Sequence, residues 1–211
     1  MRRLIVEPPL PFDAAAVWAT EEELATVRAF APARAREYLA WRAIVRRATV
    51  RDAAIAYDAA GAPVLTNLPL QITVSHCTGR VAVGISDRRC AVDIERIDRN
   101  FGRILGRYLT DEEMQLSDDP LFPALGWCAK ETLYKYAGVP GCDLRSDLRI
   151  DAIDFAPLPD PTALPEGVPA GAAVGTMWAH CEGRAHRAAT AGALTLHFYL
   201  EDDYAVVFCF G

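Results

Sequence analysis

The stretch Trp127–Gly138, WCAKETLYKYAG, has the residue spacing of an amphipathic helix. Three apolar residues recur every four positions and predict its buried stripe: Ala129, Leu133 and Ala137. Gly138, with Pro140 after it, predicts where the helix ends. Glu131 and Lys135 share another face, where an ordinary helix gains about 0.3 kcal/mol from such an ion pair. The helix alone therefore predicts a core contact and a surface ion pair, and nothing about chemistry.

The stretch AVDIE, Ala91–Glu95, changes the interpretation of that helix. It predicts a strand in which Asp93 and Glu95 leave the same face. A solvated strand end is the simple alternative, although two adjacent carboxylates repel each other unless a cation or a proton lies between them. With Glu131 as a third carboxylate, the set suits Mg²⁺, which takes a few carboxylates together with water and phosphate oxygens. Lys135, one turn beyond Glu131, would then reach a phosphate on that ion.

The rest of the chain alternates groups of helices and strands, which predicts an α+β fold. Predicted helices are residues 20–30, 32–47, one carrying 101–108, one after Thr110, and 125–137. Predicted strands are residues 4–6, 72–75, 81–86, 90–94, 176–180, 194–200 and 204–210. The three strands between 72 and 94 have short connections and predict an antiparallel meander, and the prolines of 157–169 predict an extended surface connection.

The two halves of the chain follow a loosely similar order of elements. We therefore expect a pseudo-two-fold pair of α+β lobes with antiparallel sheets and packed helices. The predicted lobes are residues 1–98 and 99–211, with the Asp93/Glu95 strand at the seam.

The predicted helix from Pro32 is the one strongly basic segment of the chain, with arginines spaced along it. A solvated helix face is the expected role for most of these arginines. A role in binding phosphate is the alternative for a few of them, because guanidinium groups bind phosphate through paired hydrogen bonds.

Composition limits the class of protein. The chain has 211 residues, 52% of them hydrophobic, which is enough to bury a core, and a net charge of −6 argues against general nucleic-acid binding. Its six cysteines include no C-x-x-C pair, the apolar run at the N-terminus is too short for a signal peptide, and no apolar run reaches the length of a membrane span. We expect a reduced, cytoplasmic protein that binds neither nucleic acid nor membrane.

Six short motifs occur in order along the chain: REYLAWR (36–42), GAP (61–63), VSHC (74–77), AVDIE (91–95), YLTDEE (108–113) and WCAKETLYK (127–135). Together they resemble the 4′-phosphopantetheinyl transferases, in particular the larger, two-lobed Sfp-like class. No single motif is decisive, but the ordered set is specific. The resemblance implies a monomer that transfers the 4′-phosphopantetheine arm of coenzyme A to a serine of an apo acyl or peptidyl carrier protein. Adenosine 3′,5′-bisphosphate would be the product released.

The resemblance also implies roles for residues in the second half. Asp93, Glu95 and Glu131 would hold Mg²⁺ against the diphosphate of coenzyme A. Glu131 would take the proton of the carrier serine, and Lys135 would stabilise the diphosphate. Glu113 occupies an acidic position of the family and would lie near the metal.

In the first half, the resemblance places Ser75 and His76 beside the 3′-phosphate of coenzyme A. Arg28 and Arg36 lie in the region where the family has cations against that phosphate. A buried histidine that is hydrogen-bonded at a strand end is the simple alternative for His76.

Four positions depart from the family pattern. Ala62 replaces a lysine, Trp41 replaces a small residue, Ala91 replaces a glycine and Cys77 replaces a hydroxyl residue. Two alternatives to a transferase therefore stay open. The first is a non-catalytic relative that binds coenzyme A or a carrier protein, favoured by Ala62. The second is a magnesium-dependent phosphohydrolase that uses the same carboxylates. Joint presence of the acidic set with Lys130 and Lys135 favours the transferase.

Overall fold

A computed structural model describes residues 1–158, 160, 162, 164–189 and 192–211, with only the backbone described for 187–189. The helices are α1 (Phe12–Ala16), α2 (Glu21–Val27), α3 (Pro32–Ala48), α4 (Phe122–Ala137) and α5 (Gly183–Ala189). The strands are β1 (Arg2–Glu7), β2 (Ile55–Tyr57), β3 (Pro63–Leu65), β4 (Gln71–Cys77), β5 (Arg80–Ser86), β6 (Cys90–Arg96), β7 (Leu148–Asp154), β8 (Gly175–Cys181), β9 (Ala193–Glu201) and β10 (Tyr204–Phe210). The chain adopts a mixed α+β fold with antiparallel sheets, as predicted.

The first sheet has the order β1-β5-β4 and is antiparallel throughout. Helix α3 packs on it through a stripe of apolar residues at helical spacing, Ala40, Ile44 and Val45. These residues meet Val83 and Ile85 of β5. Alternation along β5 therefore places one row of side chains under α3, where burial of each aliphatic side chain contributes roughly 1.5–3 kcal/mol.

The second sheet has the order β6-β10-β9-β8-β7 and is also antiparallel. Helix α4 packs on one face of it and buries the predicted stripe of Ala129, Leu133 and Ala137. The other face packs against the first sheet's β1 and β5 through Val92, Ile94 and Phe208 among others. The helix ends at Gly138, whose φ of 64° is the left-handed conformation that glycine adopts most readily.

Strands β4 and β6 lie side by side where the two sheets meet. The hydroxyl of Ser75 donates to Oδ1 of Asp93 over 2.6 Å, and the backbone N–H of Val92 donates to Oγ1 of Thr73 over 3.2 Å. Each sheet thus supplies one strand to the junction. This junction positions the site described below.

Several predicted elements differ from the structure. The expected meander over 72–94 is wrong in its third strand, because β6 hydrogen-bonds β10 of the second sheet. The helices predicted around 101–108 and after Thr110 are short 3₁₀ segments, Phe101–Arg107 and Glu113–Gln115. Strands β2, β3 and β7 and helices α1 and α5 were not predicted, since their sequences are short or weakly patterned. The connection predicted over 157–169 includes residues 159, 161 and 163, which lie outside the described residues.

The arginines of α3 correct the expectation of a solvated face. Arg42 and Arg46 are only 2% and 3% exposed, and both form ion pairs with Glu23 of α2. Burial opposes ionisation of Glu23, but hydrogen bonds from Arg46 and from the Thr20 backbone, with the two positive charges, hold its pKa below the usual value. These two arginines therefore join α3 to α2 inside the first half of the chain.

The pseudo-two-fold relation of two lobes, 1–98 and 99–211, stays a prediction. No helix among the described residues is both long and apolar enough to cross a bilayer.

Candidate active site

A groove of about 410 Å³ opens at the junction of β4, β6 and α4. Its walls bring together most of the residues singled out in the sequence: Ser75, His76, Asp93, Glu95, Glu131 and Lys135. Val74 and Trp127 complete the lining. Three carboxylates and one ammonium, from positions up to 42 residues apart in the chain, thus face one space.

Asp93 is the most buried carboxylate of the groove, at 4% exposure. Its Oδ1 accepts hydrogen bonds from Ser75 Oγ at 2.6 Å and from Lys135 Nζ at 2.8 Å. Its Oδ2 is buried and has no hydrogen-bond partner among the described residues. An ionised oxygen left unpaired in the interior is unfavourable, so Oδ2 is suited to a cation or another donor that enters the groove.

Glu95 lies at the outer end of the same strand face. Its Oε1 accepts a 3.1 Å hydrogen bond from Trp127 Nε1 and forms an ion pair with Arg99. Burial raises the pKa of Glu95, the hydrogen bond from Arg99 counteracts that effect, and the charge of Asp93 adds to the rise. The Trp127 indole therefore holds Glu95 against α4, and both contacts use Oε1 of Glu95. Oε2 of Glu95 stays available to the groove.

Glu131 projects from α4 and makes no ion pair or hydrogen bond with its side chain in the described part of the chain. Burial raises its pKa, the negative charge of Asp93 raises it further, and Lys135 opposes the rise. The carboxylate is thus a stronger base than an exposed glutamate. A raised pKa combined with a free carboxylate is the property expected of a general base.

Lys135 does not form the helix-surface pair with Glu131 that its spacing predicts. Its Nζ donates to the backbone oxygen of Val92 over 3.0 Å and to Oδ1 of Asp93 over 2.8 Å. The ammonium is therefore held beside β6 of the second sheet, within the groove.

The donor chemistry of the groove fits a magnesium ion. Asp93, Glu95 and Glu131 are hard oxygen ligands, and Oδ2 of Asp93 has no partner among the described residues. The charge of Asp93 raises the pKa of Glu95, and the charges of Asp93 and Glu95 raise the pKa of Glu131. In the described part of the chain, no group of three His, Cys, Asp or Glu side chains is gathered closely enough to hold a metal ion. The carboxylates suit Mg²⁺ by type and charge.

The groove continues into two smaller cavities, which share Val74 with it. The His76 cavity, about 190 Å³, is lined by Arg34, Glu37, Tyr38, Trp41, Tyr57, Pro63, Val74 and His76. The Gly61 cavity, about 280 Å³, is lined by residues 60–63 and 72–74 together with Cys90, Tyr134, Lys135 and 138–140. The space available to a ligand therefore extends beyond the carboxylates in two directions.

His76 lies at the entrance of the first cavity and is not the buried, satisfied histidine of the simple alternative. Its side chain is 41% exposed, and Nδ1 lies 4.0 Å from Oε1 of Glu37. Ser75, the other residue predicted here, points at Asp93 and not into the cavity.

The arginines predicted from the sequence are not those at the groove. Arg36 lines a separate hollow with Pro9, Pro11 and Phe12, and Arg28 follows α2 outside the groove and both cavities. Arg34 lines the His76 cavity instead. Its spacing of three, four and seven residues from Glu37, Tyr38 and Trp41 is the helical signal that identifies this face of α3.

Lys130 and Glu113 form a structural pair away from the groove. Lys130 is 0% exposed and donates to Oε1 of Glu113 over 2.6 Å and to the backbone oxygen of Leu148. Glu113 also accepts from the backbone N–H groups of Thr110 and Ile150. The expectation that Glu113 lies near the metal ligands is therefore not met, because it is not among the residues that line the groove.

Comparisons with known proteins agree with the geometry. No curated protein matches the chain significantly. The family model of the 4′-phosphopantetheinyl transferase superfamily matches residues 89–209, more than half of the chain. The matched region contains β6, α4 and every carboxylate of the groove. The chain therefore belongs to the 4′-phosphopantetheinyl transferase superfamily.

Proposed function

We propose that this protein transfers the 4′-phosphopantetheine arm of coenzyme A to a serine of an apo acyl or peptidyl carrier protein. The observation that carries the proposal is the single groove in which Asp93, Glu95, Glu131 and Lys135 converge. A protein that only bound coenzyme A would gain nothing from a third carboxylate, Glu131, placed without an ion-pair partner next to Asp93 and Glu95 and beside a diphosphate, because like charges repel.

The proposed roles follow from the position of each side chain. Asp93, Glu95 and Glu131 would hold Mg²⁺, and Lys135 would contact the diphosphate from the floor of the groove. Magnesium, when bound, neutralises negative charge that develops on the transferred phosphoryl group. Ser75 holds Asp93 in place through its hydrogen bond, and Trp127 does the same for Glu95.

In the proposed reaction, the serine oxygen of the carrier forms a bond to the phosphorus next to pantetheine. The phosphoanhydride bond breaks, and adenosine 3′,5′-bisphosphate leaves with the bond's electron pair. Glu131 accepts the serine proton, directly or through one water molecule. The raised pKa of Glu131 brings its basicity closer to neutral pH, which favours proton transfer.

Monomeric state and cytoplasmic location belong to the same proposal. One chain supplies both walls of the groove, from β4 on one side and from β6 and α4 on the other. Size-exclusion chromatography with light scattering would test the monomer, and cell fractionation would test the location.

The test of transfer is the mass of a carrier protein. Apo acyl and apo peptidyl carriers would each be incubated with the protein, coenzyme A and MgCl₂, then weighed. We expect a mass gain of one phosphopantetheine arm, and release of adenosine 3′,5′-bisphosphate in equal amount.

Two matched variants make the test specific. Glu131→Gln keeps the size of the side chain and should reduce transfer by at least about 10²-fold, the range of a lost general base. Glu21→Gln changes an exposed glutamate on α2 and should transfer at the wild-type rate. Binding of coenzyme A without any mass gain would identify a non-catalytic binder. Breakdown of coenzyme A without a carrier would identify a hydrolase.

A further inference from the structure

The groove offers very few cations to a ligand that carries several phosphates. If the diphosphate of the donor lies against Lys135, as the proposed function requires, its nucleotide end extends into the His76 cavity or the Gly61 cavity. Coenzyme A carries a 3′-phosphate on that nucleotide, with nearly two negative charges at neutral pH. The charges lining the two cavities therefore decide how strongly the 3′-phosphate is recognised.

The His76 cavity has one arginine and one carboxylate. Arg34 is exposed, and its guanidinium carbon lies 5.8 Å from the centre of the Phe30 ring in a cation–π contact. Glu37, one turn along α3, lies beside His76. A phosphate that approached His76 would meet the negative charge of Glu37 as well, so the charges of Glu37 and Arg34 largely cancel.

Among the residues that the structure describes, Lys135 is the one charged side chain in the lining of the Gly61 cavity, and it already bonds Asp93 and faces the diphosphate. Ala62, with a methyl side chain, lines this cavity. The described lining of either cavity therefore offers a 3′-phosphate no more than one uncompensated positive charge.

We propose that the donor site accepts adenosine-diphosphate pantetheine compounds with or without the 3′-phosphate, so that 3′-dephospho-coenzyme A is a substrate comparable to coenzyme A. With the dephosphorylated donor, the serine–phosphorus bond forms and the phosphoanhydride bond breaks as before. Glu131 takes the serine proton, and the leaving group is adenosine 5′-monophosphate. Each charge-assisted hydrogen bond to phosphate changes affinity by about 10- to 100-fold. Glu37 opposes the attraction of Arg34 for a phosphate in the same cavity, so the net gain from the 3′-phosphate should be smaller than the effect of one such bond.

The decisive experiment is a competition between the two donors. Equal concentrations of coenzyme A and 3′-dephospho-coenzyme A would be given to the wild-type protein with MgCl₂ and an apo carrier. The ratio of adenosine 3′,5′-bisphosphate to adenosine 5′-monophosphate released gives the ratio of kcat/KM values directly. We expect the two donors to differ by less than about 10-fold, whereas a preference for coenzyme A above about 100-fold would overturn the proposal.

Calorimetric titration of each donor into the protein separates this proposal from the proposed function. Failure of transfer with both donors would refute the transferase. The ratio of the two dissociation constants would still test recognition of the 3′-phosphate: a ratio below about 10-fold supports the inference, and a ratio above about 100-fold overturns it. If neither donor binds, the inference is overturned together with the site.

Glu37→Gln tests the structural cause. This substitution removes the negative charge beside His76 and leaves the groove carboxylates intact, so the preference for coenzyme A should rise by about 3- to 10-fold. Glu21→Gln, on the neighbouring helix, serves as the control and should leave the ratio unchanged. An unchanged ratio in Glu37→Gln would refute the assigned role of Glu37.

Discussion

Ser75 donates a 2.6 Å hydrogen bond to Oδ1 of Asp93, and this bond ties a strand of the first sheet to a carboxylate of the second. Both side chains are buried, at 8% and 4% exposure. The position of Asp93, the proposed metal ligand, thus depends on the association of the two sheets. The stability of the junction between the sheets depends in turn on Asp93.

Replacement of Ser75 tests this coupling. Ser75→Ala should lower the free energy of unfolding by about 1.5–3 kcal/mol, because the buried, charged carboxylate of Asp93 loses the hydrogen bond that Ser75 donates. Urea unfolding followed by tryptophan fluorescence measures the change. Ser75→Thr keeps the hydroxyl and should recover more than half of the loss, whereas equal stability of the Ala variant and the wild type would contradict the coupling.

The buried pair of Lys130 and Glu113 should behave as a structural ion pair. Lys130→Met should destabilise the protein by about 3–5 kcal/mol, since Glu113 would remain buried without its partner. The double variant Lys130→Met/Glu113→Gln should be more stable than the sum of the two single changes predicts. A double-mutant cycle by urea unfolding measures this coupling, and additive losses would show that the two side chains act independently.

Glu23 should make the stability depend on acid. Because its pKa in the folded protein lies below the usual 4.5, its ionised form stabilises the fold above pH 4.5. That contribution is lost as the pH falls through the lowered pKa. Thermal unfolding between pH 3 and 7 should show a weaker decline in Glu23→Gln, from lower initial stability, than in Glu21→Gln. Parallel pH profiles of the two variants would argue against the assignment.

Lys135 should control the basicity of Glu131. Lys135→Met removes the positive charge that lowers the pKa of Glu131, so that pKa should rise above its already raised value. Carbon NMR titration of the carboxyl groups in metal-free protein measures it. Arg145→Met removes an exposed charge that pairs with Asp111 and should leave the titration of Glu131 unchanged. A fall or no change in Lys135→Met would contradict the electrostatic account.

Arg34 and Arg36 provide a matched comparison on α3. Arg34→Ala should raise the KM for coenzyme A by about 3- to 10-fold, because Arg34 lines the His76 cavity. Arg36→Ala should not change it, because Arg36 lines a hollow formed with Pro9 and Pro11. Steady-state kinetics with a carrier protein measure both KM values. A larger effect for Arg36→Ala would show that Arg36, the residue predicted from the sequence, binds coenzyme A in place of Arg34.

Local patterns predicted α3, α4 and most strands well, because their apolar residues recur at the period of the element they form. The predicted meander was wrong because the identity of a strand's partner is not encoded in its own alternation. The alternation of side chains in β6 would suit an edge strand of either sheet. Its pairing with β10 decides which sheet it joins. The same limit applies to Arg42 and Arg46. The sequence of their helix predicts a solvated basic face, and only the folded structure places Glu23 next to the two arginines.

The site shows the same division between local and long-range information. Residue spacing within each element predicted which side chains lie together: Asp93 with Glu95 on a strand face, and Glu131 with Lys135 on a helix face. Packing of the elements then selected the partners: Lys135 pairs with Asp93 and not with Glu131, Glu113 forms a buried pair with Lys130, and Arg34 lines the His76 cavity. Side-chain periodicity is set by backbone geometry within one element, whereas ion-pair choice depends on distances that exist only after β4, β6 and α4 have packed together.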